Sequence, residues 1–438
     1  MSDKANNSNF SRNIAAVSGE FSNFAVDIKH RADMTLGGRL KIRNFGPIKE
    51  GYDEDEGYMT FPPFTMICGP QGAGKSCVAK LYSIFTWIEK ALVRGDFNES
   101  YVTQYHRFLG HCSYQGIKNY FNGDTFLHYV GKAYAMRYEG GRLTVEGVGG
   151  GEYVRPQIAY IPAERNLMSV ANNAYRIRGV AGSLSTMMET YFEACGSMAG
   201  EMALPFGGVS MRFDKSNRIA WIRGDGYEVR LSEASSGLQS AVPMLVVVGY
   251  LSGRLSKGAP TGMSGASVRD KDKIRQRIER ILADNTIGDE TRAMLVKRAG
   301  DTANKRMVCI VEEPEQNLYP TSQTGVLYKL MEYALAADGQ LLITTHSPYL
   351  INSLSLAVKA YNVGRNANEE KRRRIGRIVP QGAWIDGGRT MVMQIDKGAI
   401  RQLPKYDGMP SDDNYLNRLL AISNDNYGEL LEIEEDER

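Results

Sequence analysis

The sequence predicts an α/β fold in which helices cover a largely parallel central sheet. Short, wholly apolar runs are typical of strands that are buried on both faces. Such runs occur at 64–68, 307–311 and 341–345. Stretches with apolar residues at helical spacing alternate with them, at 78–93, 237–251 and 325–337. Because consecutive parallel strands are joined by helical crossovers, this alternation indicates a parallel sheet with helices on its faces.

The remaining segments predict smaller units around this sheet. RLKIRNFGPIKE, which begins at Arg39, alternates apolar and polar residues as a half-buried strand does. IAYIPAER (158–165) is a further buried strand that runs into a polar loop. Residues 209–234 indicate a β subdomain with hairpin connections. The charged stretch 265–305 has apolar residues at helical spacing, so it predicts a short helical insertion.

These patterns divide the chain into five parts. Residues 1–37 are expected to be an N-terminal extension, and 255–306 to contain the charged helical insertion. The main domain then has an N-terminal part, 38–254, and a C-terminal part, 307–400, with a tail at 401–438. Two interpretations of the insertion stay open: a lid or partner-docking arm, and a solvated hairpin without a separate role.

The composition is that of an ordinary globular protein. Of the 438 residues, 42% are hydrophobic and 24% charged, and the formal net charge of +3 neither requires nor excludes nucleic acid. The longest apolar run, 241–251, is too short to span a bilayer, and the N-terminus lacks the apolar block of a secretory signal. We therefore expect a cytoplasmic protein with no membrane partner. Its five cysteines show no CxxC spacing and are expected to be reduced and buried.

A phosphate-binding loop is the strongest motif in the chain. GPQGAGKS, at 69–76, fits GxxxxGK[ST] and lies between a predicted buried strand and a predicted helix, the context that the motif requires. Its glycines allow successive backbone N–H groups to face an anion. Lys75 supplies a positive charge for the outer phosphates of ATP, and Ser76 a hydroxyl for Mg²⁺. The expected phosphate contacts beside these two residues are Gly69, Gln71, Gly72, Ala73, Gly74 and Cys77.

Two adjacent carboxylates follow the predicted strand 307–311. Ligand groups gather at the carboxyl ends of strands in an open α/β sheet. We expect Glu312 to hold Mg²⁺ together with Ser76, and Glu313 to orient or deprotonate the attacking water. Neighbouring residues on a strand point to opposite sides, which supports the division of roles. The alternative, a solvated acidic cluster, would leave the phosphate loop without a metal partner.

Two further polar sites follow the same logic. His346 comes directly after the strand 341–345, at a height from which it can reach an outer phosphate. Ser235, Ser236 and Gly237 precede an apolar helix, where small hydroxyl residues can form a second anion-binding surface. An ordinary N-cap at Ser235 or Ser236 is the alternative for the second site.

The ordered set of motifs resembles the head of an ABC-type ATPase. The set consists of the NFGPI opening, GPQGAGKS, a strand ending in PAER, SSGLQS at a helix start, IVEEPEQNLYP and ITTHSPYL. It is most similar to the SMC/RecF-like branch, and within it to the OLD-type ATPases (overcoming lysogenisation defect). The ATPase subunits of the anti-phage systems Septu (PtuA) and PARIS (AriA) are also similar. The motifs extend from residue 39 to about residue 351.

The resemblance implies roles for individual residues. It makes 69–76 the Walker A loop, Glu312 the Walker B residue and Glu313 the catalytic carboxylate. It makes 235–237 the signature that contacts the γ-phosphate held by a second copy. Glu315 to Leu318 would form the D-loop at the dimer seam, so we expect Glu315 at the nucleotide, together with Arg43 of the opening strand. Lys75 and His346 complete the catalytic set, and the implied cofactors are ATP and Mg²⁺.

The chain departs from the ABC pattern in three places. The signature reads SSGLQ instead of LSGGQ, and the strand-end metal ligand is Glu instead of Asp. The position of the Q-loop glutamine is open, with Gln115 and Gln157 as candidates and the loop at Glu164 and Arg165 as a third possibility.

The same resemblance implies a dimer around two ATP molecules and a regulatory role. OLD proteins carry a nuclease domain after the ATPase, but only 92 residues (438 − 346) follow His346. We therefore expect a separately encoded effector, a nuclease, that this ATPase regulates in anti-phage defence. The alternative is a RecF-like repair ATPase that grips DNA directly, with KRRR at 371–374 as one candidate contact. A transporter engine is a third reading, which the NFGPI opening and the EEPE motif argue against.

Overall fold

The computed structural model describes residues 37–149, 153–170, 179–256, 304–336 and 339–436, with isolated positions at 279, 282, 283 and 288. The predicted N-terminal extension, apart from Gly37, therefore lies outside the described residues. So does nearly all of the charged insertion predicted for 255–306.

Seven strands form the central sheet, in the order β2-β15-β14-β3-β13-β12-β7. Five neighbours, from β14 to β7, run parallel, whereas β15 pairs with β14 in the antiparallel direction. The predicted mainly parallel sheet is confirmed. The bounds of its strands are β2 Gly51–Tyr52, β3 Phe64–Cys68, β7 Pro156–Ile161, β12 Arg306–Glu312, β13 Gln340–Thr345, β14 Thr390–Asp396 and β15 Ala399–Gln402.

The apolar strands are buried because helices or strands cover both faces of the sheet. On β12, Cys309 and Val311 belong to one core cluster and Val308 and Ile310 to the other. Every residue of β3 and β13 is buried. This two-sided burial is the reason for wholly apolar runs in place of alternating ones.

Ten helices are described. Those that pack on the central sheet include α1, α6, α7 and α8. The first of these, α1, follows the phosphate loop. Their bounds, with those of the other helices, are α1 Lys75–Arg94, α2 Glu99–Thr103, α3 Arg107–Tyr114, α4 Leu167–Val170, α5 Gly182–Ser197, α6 Ser236–Ser256, α7 Pro320–Ala336, α8 Pro348–Gly364, α9 Glu369–Gly376 and α10 Tyr415–Asp436. The three helices predicted from apolar spacing correspond to α1, α6 and α7.

Two antiparallel sheets of four strands each flank the main sheet. One has the order β1-β4-β5-β6 and the other β11-β10-β9-β8, so the β subdomain predicted at 209–234 is present. A short hairpin, β16-β17, follows β15. The bounds are β1 Arg39–Arg43, β4 Phe126–Val130, β5 Tyr134–Glu139, β6 Arg142–Gly147, β8 Met202–Ala203, β9 Ser210–Asp214, β10 Ile219–Gly224, β11 Tyr227–Arg230, β16 Lys405–Tyr406 and β17 Met409–Pro410.

The structure refines two further expectations. The predicted boundary between residues 400 and 401 falls inside β15, which belongs to the main sheet, and the segment after it contains β16, β17 and α10. All five cysteines are free and buried, as expected.

One described helix segment, Ser236–Leu255, has the length and apolar composition of a membrane span, but 61% of the apolar window is buried. Val242 and Leu245 of this helix belong to the core, so it is a core helix.

Candidate functional site

The phosphate loop connects the centre of the sheet to α1. Gly69 has a φ of 145°, and a Cβ at this position would lie 2.3 Å from the carbonyl oxygen of Ile395. Gly74 has a φ of 110°, and a Cβ there would lie 2.9 Å from Cγ1 of Ile48. Both positions therefore require glycine for conformation and for space. The loop brings its backbone to the N-terminus of a 20-residue helix, where the helix dipole favours an anion.

Lys75 begins α1, and its ammonium group folds back over the loop. Nζ donates to the carbonyl oxygens of Gly69 at 3.0 Å and Pro70 at 2.9 Å. Burial is the main cause of a lowered pKa of Lys75, and the carboxylates of Glu313 and Glu315 act in the opposite direction. These carbonyl bonds hold the charge of Lys75 at the site where the phosphates of a nucleotide are expected.

Ser76 and Glu312, the two residues predicted to hold Mg²⁺, meet at the edge of the sheet. The Ser76 hydroxyl donates to Oε2 of Glu312 at 2.5 Å, and Lys80 Nζ lies 3.9 Å from Oε1. The Tyr160 hydroxyl also donates to Oε1 of Glu312. Burial raises the pKa of Tyr160, so its hydroxyl stays a proton donor. The Glu312 carboxylate is thus held from both sides, next to the serine that the motif assigns to the metal.

Glu313 and His346 form a second contact on the other side of the acid pair. Nε2 of His346 lies 3.3 Å from Oε1 of Glu313, and Nδ1 lies 3.4 Å from Nζ of Lys75. Because an ammonium group can only donate, Nδ1 must accept, which leaves the proton of a neutral ring on Nε2. That proton points at Glu313. The hydrogen bond from His346 is the main cause of the lowered pKa of Glu313, and the Lys75 charge adds to it.

Glu315 occupies a different position from the one predicted. Its Oε1 accepts from the Thr345 hydroxyl and from the His346 backbone N–H, each at 2.7 Å. Its second oxygen is buried, and burial is the main cause of a raised pKa of Glu315. We predicted that this side chain contacts nucleotide at a dimer seam. In the structure the carboxylate turns inward instead. In the structure Glu315 fixes the loop that carries His346.

The predicted signature lies at the start of α6. Ser235 and Ser236 are exposed there, and the carbonyl of Ser235 accepts from the Gln239 N–H. Gly237 is buried, and a Cβ on it would lie 2.6 Å from the carbonyl oxygen of Asn317. The start of α6 therefore lies against the loop that follows the acid pair, and its two hydroxyls face outward.

Three other candidates lie apart from this cluster. Arg43, predicted at the nucleotide, is exposed at the end of β1. The Gln115 amide donates to Ser83 at 3.5 Å, and Gln157 accepts from Asn304. Neither glutamine is joined to the phosphate loop by a contact among the described residues, so neither fits the Q-loop position in this structure.

Arg165 and Tyr160 are the residues whose importance the sequence analysis missed. From the sequence, Arg165 was expected only as part of a possible Q-loop. In the structure it is fully buried and donates to the carbonyl oxygens of Glu312 and Glu313, each at 2.6 Å. Burial lowers its pKa to about 10, so the guanidinium stays charged near neutral pH. The available signal was the position of both residues at the carboxyl end of a buried strand, where site residues gather.

The residues present fit a Mg²⁺ ion that a nucleotide helps to hold. Ser76 and Glu312 offer two oxygen ligands, and Mg²⁺ in such sites takes the remainder from phosphates and water. Within the described part of the chain, no group of three or more His, Cys, Asp or Glu side chains could hold a metal by itself. The metal would therefore depend on bound nucleotide.

Comparisons with known proteins give one family match. Residues 291–351 match the AAA_15 model, described as an AAA ATPase domain. The matched segment contains β12, the acid pair and His346. A search of curated proteins finds no match.

Solved structures with a detectable likeness are SMC heads and ATP-binding cassettes. The SMC head domain from Thermotoga maritima has 11% sequence identity and a TM-score of 0.35, and covers 84% of this chain and 99% of its own. The Smc head from Pyrococcus furiosus, bound to the C-terminal domain of ScpA, has 9% identity and a TM-score of 0.34, with 83% and 95% coverage. A dimeric ATP-binding cassette bound to ADP and Pi has 10% identity and a TM-score of 0.28, with 84% and 100% coverage. Likenesses this weak support no conclusion about activity.

Proposed function

We propose that this protein is an ATPase of the ABC/SMC-like type that hydrolyses ATP with Mg²⁺. The observation that carries the proposal is the meeting of Ser76 and Glu312 at 2.5 Å beside Lys75, with the Glu313–His346 pair next to them. A phosphate loop, a carboxylate for Mg²⁺ and a second carboxylate for water are the parts that phosphoryl transfer to water needs. The AAA ATPase match at 291–351 covers two of these parts and supports the same activity.

The geometry suggests a role for each side chain. The backbone of 69–76 and the Lys75 ammonium would bind the phosphates, and Ser76 and Glu312 would hold Mg²⁺, which neutralises phosphate charge when bound. Glu313, kept ionised by its lowered pKa, would accept a proton from the attacking water. His346 Nε2–H holds that carboxylate in place and lies within reach of the same phosphates as Lys75.

A second copy of the chain is part of the proposal. Ser235 and Ser236 are exposed at the start of α6, and no contact among the described residues joins them to their own phosphate loop. Hydroxyls at a helix start suit an outer phosphate. We infer that they complete the nucleotide site of a partner subunit, so that two chains enclose two ATP molecules with two-fold symmetry.

The activity is tested by comparing the wild-type protein with Lys75→Ala. We expect phosphate release from ATP and Mg²⁺ by the wild type, and a loss of about 10²-fold in the variant, because a charge aimed at the reacting phosphate is removed. Exposed Lys371→Ala is the matched control and should keep wild-type turnover. Equal phosphate release by wild type and Lys75→Ala would contradict the proposal.

For the biological role, we propose a cytoplasmic sensor or scaffold that regulates a separately encoded effector, a nuclease, in bacterial anti-phage defence. The motif resemblance supports this role. Purified protein with Mg²⁺, ATP and plasmid should leave the DNA intact, whereas protein purified together with its effector should cleave it. Cleavage by the pure chain would overturn this role.

A second function, direct DNA binding, is favoured by one surface. Arg39, Lys41 and Arg43 alternate along β1, and Arg137 on β5 lies over the ring of Phe126 at 5.2 Å. Cations at every second position of a strand form a row on one face, which suits a phosphate backbone. Binding to duplex DNA that weakens steeply with salt and is lost on reversing the charge of Arg39 and Arg43 would support this alternative. Unchanged binding in that variant would exclude this surface.

A further inference from the structure

Arg165 connects three elements through backbone carbonyl groups. Its Nε donates to the carbonyl of Ser240 in α6 at 3.1 Å, and Nη1 to that of Pro162 at 3.2 Å. Nη1 and Nη2 also donate to the carbonyls of Glu312 and Glu313, each at 2.6 Å. One buried guanidinium thus joins the end of β7, the start of α6 and the acid pair.

This arrangement fixes the peptide groups of the acid pair more than their carboxylates. The side chains of Glu312 and Glu313 are anchored elsewhere, to Ser76 and His346. Arg165 instead sets the direction of the two peptide planes from which those side chains project. Because the guanidinium fork is planar and rigid, a shift of one bonded carbonyl changes the geometry of the others.

A second connection runs between α6 and the loop after the acid pair. The Ser240 hydroxyl donates to Oε1 of Gln316 at 3.1 Å, and Gly237 packs against the carbonyl of Asn317. The first two turns of α6 and the residues 312–317 are therefore joined at several points. A displacement of the helix start has to alter the acid loop or break these bonds.

We propose that Arg165, together with the Ser240–Gln316 hydrogen bond, is a positioning residue that makes the catalytic carboxylates depend on the start of α6. The inference rests on the proposed function, in which Ser235 and Ser236 contact the nucleotide of the partner subunit. When the partner's nucleotide contacts α6, it fixes the positions of Glu312 and Glu313 in the chain to which that α6 belongs. Hydrolysis in one site becomes coupled to occupancy of the other.

The test compares kcat, nucleotide affinity and the steepness of the ATP dependence in Arg165→Lys. Lysine keeps the positive charge but lacks the fork that spans four carbonyls. We expect ATP affinity within about twofold of wild type, a fall in kcat of about 10²-fold, and a Hill coefficient that drops to 1 from a wild-type value above 1. Wild-type kcat and Hill coefficient in a folded Arg165→Lys protein would overturn the proposal.

Gln316→Ala tests the second connection without burying an unpaired charge, so it remains informative if Arg165→Lys fails to fold. It should lower kcat several-fold, by no more than about tenfold, and it should lower the Hill coefficient. ATP affinity should stay unchanged. Ser169→Ala is the matched control, because the Ser169 hydroxyl donates to the Gln239 carbonyl of the same helix at 2.7 Å without touching the acid loop. We expect it to leave kcat unchanged. Equal kcat in Gln316→Ala and Ser169→Ala would overturn the proposal.

The two levels of inference fail separately. If wild-type protein neither hydrolyses ATP nor pairs in its presence, the proposed function is wrong. If the wild type does both, and Arg165→Lys and Gln316→Ala lose affinity and kcat in parallel with thermal stability, then Arg165 is only structural and the coupling is wrong.

Discussion

Glu313 lies where the regular geometry of β12 has ended. Its φ of 45° is in the left-handed region, which costs a non-glycine residue about 1–3 kcal/mol. The turn directs the Glu313 carboxylate to His346, while Glu312, the last residue of the strand, keeps Ser76. The division of roles was predicted from strand alternation, but Glu313 lies outside the strand, so this turn and not alternation separates the two carboxylates. We therefore expect Glu313 to be the group that accepts the proton of water.

Glu313→Gln tests this claim. The amide keeps the size of the side chain but cannot take a proton, so we expect turnover to fall by about 10²–10³-fold while ATP binding persists. Phosphate release and equilibrium binding of ATP are measured on the same preparation. Glu139→Gln, at an exposed carboxylate on β5, is the control and should keep full turnover. Full turnover in Glu313→Gln would show that another group is the base.

At the scale of elements, a buried carboxylate attaches the helix after the phosphate loop to the neighbouring sheet. Glu89 of α1 accepts from the Tyr129 hydroxyl and from the Ala133 N–H, each at 2.8 Å. It also accepts from the N–H of Tyr134, so it holds the turn between β4 and β5. Burial is the main cause of its raised pKa, and these donors act in the opposite direction. The position of α1, and with it that of the phosphate loop, depends in part on this contact.

Glu89→Ala should destabilise the protein strongly. It leaves the buried Tyr129 hydroxyl and the half-buried N–H groups of Ala133 and Tyr134 without an acceptor. A buried donor costs about 1–3 kcal/mol when unsatisfied and a half-buried one less, so a loss of about 3 kcal/mol in the free energy of unfolding is expected. Glu89→Gln keeps one acceptor oxygen and should lose less. Denaturant unfolding of the three proteins measures the difference. Equal stability of Glu89→Ala and wild type would mean that water replaces the carboxylate.

Local patterns in the sequence predicted the strands, the phosphate loop and the meeting of Ser76 with Glu312. Each depends on a short apolar run followed by polar residues, and the carboxyl ends of parallel strands share one edge. The position of Arg165 after a buried strand indicates a site residue but not its role, because its partners are backbone carbonyls, one of them 147 residues away, and carbonyls carry no sequence signal. Glu315 was predicted to face the nucleotide, but the turns at Glu313 and Asn317 direct it inward.

At the scale of the whole molecule, the proposed site is divided between two chains. The phosphate loop follows β3, in the middle of the sheet, whereas the start of α6 lies against the loop that follows β12. In the proposed dimer, each chain supplies the phosphate loop and the carboxylates of one site, and the exposed hydroxyls of Ser235 and Ser236 to the other site. The coupling through Arg165 depends on this division.

Mixing two inactive variants tests the divided site most directly. Lys75→Ala removes the phosphate-loop charge, and Ser236→Arg blocks the exposed helix start without disturbing the core. Neither variant alone should form an ATP-dependent dimer, because every site in its dimer lacks one half. In a mixed dimer one of the two sites has both halves intact, so mixing should restore ATP-dependent dimer formation. Phosphate release by that site should stay low, because the chain that supplies its carboxylates carries Ser236→Arg and has lost the coupling through Arg165. An ATP-dependent dimer of Ser236→Arg alone, or none when the two variants are mixed, would show that the site is not divided between two chains.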